Sequence, residues 1–234
     1  MHQIKKDTEP IDFTRWKNDF QTIYGRNPVY DDLKATTEYW ILKKHLVEEQ
    51  GYICCYCERE IGKLVSLTDC NVEHFKPRHP AKNLPLTPEQ RQECIDAQLD
   101  YNNLYASCLG EKQYYTDHCN HKKDNWYDFE VCVPLTDSKI NDLFGYRLAG
   151  KIFAIGSNAK AQEFLNHLNL DSYALREQRK NAYDAIIEEE FVEDELWRDR
   201  EYIADTITYY RHKHDGKYHP FCSMIAYCLE HYAL

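Results

Sequence analysis

The sequence predicts a mainly α-helical fold with a small ββα insert, residues 51–125, stabilised by a zinc site of four cysteines. Three observations lead there. Apolar residues recur at helical spacing on both sides of the insert. Between them the chain changes to short runs rich in Cys, Val and Ile, separated by turn residues. A Cys-x-x-Cys pair is then answered about fifty residues later by two further cysteines.

The elements follow in order. Residues 12–24 and 31–50 read as helices of an N-terminal helical segment, 1–50. In the second helix Leu33, Tyr39, Trp40, Leu46 and Val47 suit one apolar stripe, and Gly51 suits its stop. Gly51 to Phe75 suggests two short strands. Residues 79–92 carry Pro80, Pro85 and Pro88 and read as a loop entering a short helix at about 88–98. Asn102 to Cys108 reads as the start of another helix, and 110–125 as polar and irregular. The remaining segment, 126–234, holds a hairpin and helices. Tyr146 to Ile155 places Gly150 between two apolar runs, as a hairpin requires. Ala161, Phe164, Leu165 and Leu168 form one stripe, and Ser172 is suited to cap a long helix through Ala182, Ile186, Ile203 and Ile207. A last helix follows Pro220, with Phe221, Ile225 and Leu229 in register.

Composition narrows the function. With 43% hydrophobic and 14% aromatic residues the 234-residue chain has ample material for a core. No apolar run approaches the roughly 20 residues of a membrane span, and Met1 to Asp7 lacks the apolar core of a signal peptide. A soluble, cytoplasmic protein with no membrane partner is the expectation. Ten cysteines in a reducing compartment point to metal binding for at least four. Cys222 and Cys228 sit in apolar helical settings and read as small hydrophobes.

The net charge of −10 argues against a broad basic surface for nucleic acid. Its acidity concentrates in Glu188-Glu189-Glu190 and Glu193-Asp194-Glu195. Basic residues gather at Lys76 and Arg78, at His121-Lys122-Lys123 and at Arg211-His212-Lys213-His214.

Cys54 and Cys57 form the Cys-x-x-Cys pair, and Cys108 and Cys119 the second pair, with ten residues between the latter two. Four thiolates enclose zinc tetrahedrally and leave no open position, so such a site is structural. The wide second spacing leaves His118 as a substitute for Cys119, and Cys55 for one of the first pair. Between the two pairs lies Val72-Glu73-His74-Phe75-Lys76-Pro77. A carboxylate can hold a hard divalent cation, and a neutral imidazole can take a proton from water. A dipeptide of this kind is also common on protein surfaces.

With Tyr101-Asn102-Asn103-Leu104-Tyr105-Ala106-Ser107-Cys108 and Cys119-Asn120-His121-Lys122-Lys123 added, the sequence resembles the HNH endonuclease family. Cys54, Cys57, Cys108 and Cys119 fall on its zinc cysteines, Glu73-His74 on its acidic-His pair, and Asn103-Leu104 on its Asn-Leu. Where the family usually has a final His directly after the last cysteine, this chain has Asn120, with Lys123 three residues later. His121 is the alternative if the loop slips by one. The flanking sequence, including Leu46 to Gly51, Phe144-Gly145-Tyr146, Leu168-Asn169-Leu170 and Arg176, is similar to the nuclease subunits (PtuB) of Septu and retron-associated anti-phage systems.

This resemblance implies a ββα-metal (HNH) insert and metal-dependent hydrolysis of phosphodiesters, with DNA as the expected substrate. His74 would be the general base, Glu73 and Asn120 the ligands of a catalytic Mg²⁺ or Mn²⁺, and Asn103 an orienting residue. Lys122 and Lys123 would contact substrate phosphate. A companion ATPase subunit (PtuA-like) and a retron reverse transcriptase with its multicopy single-stranded DNA are the implied partners. Two other readings stand beside it: an HNH nuclease acting on RNA such as tRNA, and a zinc-binding adaptor without catalysis. A redox role for Cys54-Cys57 lacks the thioredoxin-like βαβ context.

Overall fold

Capping residues set the helix boundaries at the N-terminal end. In the computed structural model, which describes residues 1–63, 65–110, 117–191 and 199–232, α1 spans Ile11–Tyr24 and stops at Gly25. The expected helix over 31–50 is two helices, α2 (Tyr30–Leu33) and α3 (Thr37–Glu49). Thr36 divides them: its hydroxyl donates to the Leu33 carbonyl (2.7 Å) and accepts from the Tyr39 N–H (3.4 Å). A side chain that serves both backbone segments favours a cap over helix interior. α3 ends where the sequence indicates, with Gly51 in the left-handed region (φ 66°). A Cβ there would lie 2.7 Å from the Tyr218 ring.

Beyond Gly51 the chain makes a knuckle closed by an Ile53–Glu60 bridge, and then strand β1 (Cys70–His74). The reading of 102–108 as the start of a helix is overturned. A single 3-10 turn, Tyr101–Asn103, leads into strand β2, Leu104–Cys108, antiparallel to β1 with Val72 opposite Ala106. Every residue of β2 is buried. A short continuous apolar run fits a buried strand as well as a buried helix, and here the tertiary partners decide. The Ala106 N–H donates to Gln50 Oε1 (2.7 Å), and the Ala106 carbonyl accepts from Gln50 Nε2 (2.8 Å) and from the Cys55 N–H (3.1 Å). Gln50 thus pins the end of α3 to the middle of β2.

Between the strands, α4 (Pro88–Asp96) starts at a Thr87–Gln90 capping box with Pro88 at its first position, as its sequence indicates. The polar stretch 110–125 is not wholly irregular, because its end forms α5 (Cys119–Lys123); residues 111–116 lie outside the described residues.

After α6 (Ile140–Leu143), the expected hairpin forms from β3 (Phe144–Tyr146) and β4 (Ile152–Ala154) around Gly150. The stripe of Ala161, Phe164, Leu165 and Leu168 is buried along and just beyond α7 (Ala159–His167). Ser172 caps α8 (Tyr173–Glu190). The single long helix from Ser172 through Ile207 is not observed as one element. α8 gives way at Phe191 (ψ 42°), and α9 (Arg200–Tyr210) starts at its own cap, where Asp199 accepts from Glu201 and Tyr202 N–H. Residues 192–198, which include Glu193-Asp194-Glu195, lie outside the described residues. α10 (Cys222–Tyr232) packs on α9 and buries Cys222 and Cys228. The buried side chains from Met1 to Leu229 form one cluster, so the three sequence segments share a core. No helix among the described residues is long and apolar enough to cross a membrane.

Gly150 (φ 76°) carries the tightest constraint in the C-terminal segment, since a Cβ would sit 1.9 Å from the Arg176 carbonyl oxygen. Gly150→Ala is therefore expected to cost about 2 kcal/mol or more. A thermal melt should show Tm falling by roughly 4–8 °C; an unchanged Tm contradicts the described approach of hairpin and α8.

Candidate metal centre and active site

The four cysteines singled out by spacing converge. Cys54 and Cys57 come from the knuckle, Cys108 from the last position of β2, and Cys119 from the first position of α5. The Cys54 N–H donates to the Arg59 carbonyl (2.9 Å) and the Glu58 N–H to the Cys54 carbonyl (3.1 Å), which folds the knuckle back on itself. Cys119 has a φ of 56°, and its N–H donates to the Leu168 carbonyl (2.9 Å).

All four sulfurs are buried and lie within 4.8 Å of one another. Cys54 Sγ is 3.9 Å from Cys119 Sγ, and Cys57 Sγ is 3.8 Å from Cys108 Sγ. Tetrahedral zinc, with Zn–S bonds of about 2.3 Å, sets its sulfurs about 3.8 Å apart. A disulfide would need sulfurs about 2.05 Å apart. The donor set therefore fits a metal ion such as zinc. Among the four thiols, hydrogen bonding, that of Cys119 above all, draws Cys108 down, while burial pushes Cys57 and Cys119 up.

The substitute ligands do not join this set. Cys55 is buried beside the cluster, and its backbone N–H is used on β2. His118 lies against the sulfurs, with Nδ1 3.1 Å from Cys119 Sγ and 3.9 Å from Cys108 Sγ. One other group of potential ligands occurs among the described residues: Asp7, His45 and Glu49. There Lys6 Nζ already donates to Glu49 Oε1 (2.7 Å) and the Asp7 N–H to Glu49 Oε2 (2.6 Å). The carboxylate's charge is thus met by an ammonium, and the group ties the N-terminal segment to α3.

β1 carries Glu73 and His74 at its C-terminal end, one residue apart and in contact with different neighbours. Glu73 Oε1 accepts from Tyr56 OH (2.8 Å) and lies 3.0 Å from Lys123 Nζ. Both contacts fall on Oε1; among the described residues Oε2 carries no hydrogen-bond partner. Lys123 also donates to the His74 carbonyl (3.0 Å), and its side chain is only 1% exposed. A buried carboxylate without this ammonium would be strongly destabilising. Lys123 is committed to Glu73 and β1, which leaves Lys122 as the exposed lysine of the pair expected to meet phosphate.

His74 is buried. Its Nε2 lies 3.0 Å from the Gln98 carbonyl, and the Tyr30 ring meets it edge-on with centroids 4.3 Å apart. A carbonyl only accepts, so Nε2 carries the proton and Nδ1 the lone pair. Burial, reinforced by Arg78 and Lys123, lowers the imidazole to about 3, so His74 is neutral at neutral pH.

Asn103 faces the backbone. Its Oδ1 accepts from the Lys76 N–H (2.7 Å), and its Nδ2 donates to the carbonyls of Lys76 and Ala97 (both 3.0 Å). It fixes the chain two residues after His74. Asn120 is half-buried in the first turn of α5, with no side-chain hydrogen bond among the described residues. His121, its alternative, turns to Asp117, with Nδ1 3.3 Å from Oδ1. The sequence reading missed Tyr56 and Tyr30. Tyr56 had an available signal, since it lies inside the Cys-x-x-Cys pair. Tyr30 lies 44 residues before His74 and had none.

One metal ion per chain is expected by elemental analysis of the purified protein. Cys57→Ser should lose that metal and lower Tm, because the binding energy of a structural site is folding energy. Cys55→Ala should keep it. Metal retained in Cys57→Ser, or lost in Cys55→Ala, contradicts the four-sulfur assignment.

No family model matches the chain, and no curated protein matches it significantly.

Proposed function

We propose that the chain is a metal-dependent endonuclease of the HNH type that hydrolyses phosphodiester bonds, with DNA as its substrate. The observation that carries the reading is one arrangement: Glu73 and His74 on β1, antiparallel β2 behind them, and α5 fastened to both through Lys123 and the cysteine cluster. A strand pair followed by a helical turn supports the ββα reading that the motif resemblance implies.

In this reading His74 is the general base. Its neutral imidazole keeps a lone pair on Nδ1, because Nε2–H is held by the Gln98 carbonyl. That nitrogen takes the proton from a water attacking phosphorus in line with the leaving oxygen. Asn103 holds the turn after His74 and so positions the base rather than touching substrate. Glu73, through Oε2, and Asn120 are the residues that would hold Mg²⁺ or Mn²⁺. One carboxylate and one amide suit an ion that keeps several of its waters. When bound, such an ion supplies charge stabilisation at the scissile phosphate and leaving oxygen. Tyr56 and Lys123 fix the other carboxylate oxygen, so the orientation of Glu73 is set by the protein.

The finer assignment rests on the sequence: an effector subunit of an anti-phage defence system, working with a companion ATPase and, in retron systems, with reverse-transcribed DNA. The net charge of −10 supports it, since a nuclease so acidic needs a partner to hold much of its substrate. The adaptor reading has its own support, because the Glu73–Lys123 pair is also a satisfactory buried ion pair without any catalysis.

The deciding experiment is cleavage of plasmid DNA, single-stranded DNA and total RNA with Mg²⁺ or Mn²⁺, by the protein alone and with the companion ATPase. Loss of the general base is expected to slow cutting about 10²–10⁴-fold in His74→Ala, with Tm and metal content retained. Wild type and His74→Ala equally inert, or equally active, in every condition contradicts the proposal and favours the adaptor.

A further inference from the structure

Two cations meet on one exposed carboxylate beside the candidate base. Asp31 Oδ1 lies 3.0 Å from Arg78 Nη1 and 3.2 Å from Lys34 Nζ. The Arg78 guanidinium also covers the Tyr30 ring, 4.6 Å from its centroid, and the same ring meets His74 edge-on. Gln98 fixes the spacing: its side-chain Oε1 accepts from the Tyr30 N–H (3.0 Å), and its carbonyl accepts from His74 Nε2. The start of α2 and the imidazole are thus tied to one residue, and the two cations lie one aromatic ring away from His74.

Resting on the nuclease reading, we propose that Arg78 and Lys34 form a phosphodiester subsite next to His74, in which the Asp31 carboxylate holds the place of a backbone phosphate.

A carboxylate and a phosphodiester are both monoanions whose oxygens accept from a guanidinium fork. Only Nη1 of Arg78 is used on Asp31; among the described residues Nη2 and Nε have no hydrogen-bond partner. Spare donors on a fork are what a second phosphate oxygen would take. The pairing is also easy to exchange. The Asp31 and Lys34 side chains are 64% and 50% exposed, so their pair contributes little, while Arg78, 20% exposed, stays against Tyr30. Tyr30 is buried, so the platform under the guanidinium stays in place when its anion is exchanged. In a chain of net charge −10, two cations meeting on one carboxylate beside His74 attract an anion to that point. Asp31 then acts as an internal competitor that lowers affinity for nucleic acid until a substrate phosphate displaces it.

The test measures binding of short fluorescein-labelled duplex DNA and RNA of matched sequence by anisotropy, across a KCl series, with full-length His74→Ala as the parent so that nothing is cut. Asp31→Asn should tighten binding about two- to fivefold, the equivalent of one exposed ion pair. Arg78→Ala should weaken it and reduce the slope of log K against log[KCl] by about one. Asp31→Asn changes a single exposed atom and keeps the test decisive should Arg78→Ala fail to fold. A shift on the DNA probe assigns the subsite to DNA, and a shift on the RNA probe alone to RNA. Affinity and slope unchanged in both variants overturn the subsite, as does a parent that binds neither probe. Failure of the nuclease reading is distinct, because it shows in the cleavage comparison of wild type with His74→Ala.

Discussion

The insert depends on four sulfurs drawn from three separate stretches of chain into one buried cluster. Its regular elements are short: β1, β2 and α5 have five residues each. An isolated two-stranded hairpin is marginal in water, and so is a single helical turn. The strands are joined by some thirty residues, whose closure carries an entropic cost. A metal bound by Cys54, Cys57, Cys108 and Cys119 would offset that cost and fix the knuckle, the end of β2 and the start of α5 together. Gln50 adds a second clamp from outside the insert, joining α3 to Ala106. The position of Glu73 and His74 follows from both.

Four polar side chains of the candidate site are buried in that frame. Glu73, His74, Asn103 and Lys123 are all buried, and burying such groups is unfavourable unless each is satisfied. They are satisfied by one another and by backbone: Tyr56 and Lys123 serve Glu73, Gln98 serves His74, and Lys76 and Ala97 serve Asn103. An apolar interior would be simpler to stabilise, so each of these groups depends on the partner that satisfies it. The imidazole leaves the network neutral and with one free nitrogen, the form a general base needs.

Much of this was legible in the sequence. The cysteine framework could be read from spacing, and the adjacent Glu-His and Asn-Leu pairs from the motif they complete. Gly51, Ser172 and Gly150 marked a helix end, a helix cap and a hairpin turn, because each is a local signal with a local cause. Two of the misreadings, strand β2 and Lys123, originate in contacts distant along the chain, whereas the break at Thr36 is local. Leu104–Cys108 is a strand because β1, Gln50 and Cys55 all pair with it, and no local periodicity reports that. The helix break at Thr36 rests on two hydrogen bonds from one hydroxyl. Lys123 looked like a surface phosphate contact because a lysine at the end of a basic run is usually exposed. Its burial against Glu73, fifty residues earlier, is visible only in the fold.

The central claim, that a metal held by four cysteines keeps β1, β2 and α5 in register, is tested most directly by amide hydrogen exchange of the protein before and after metal removal by a chelator. Loss of protection confined to β1, β2, α5 and the knuckle at 51–60, with α9 and α10 still protected, is the predicted result. Unchanged protection across β1 and β2 after the metal is gone would contradict the account.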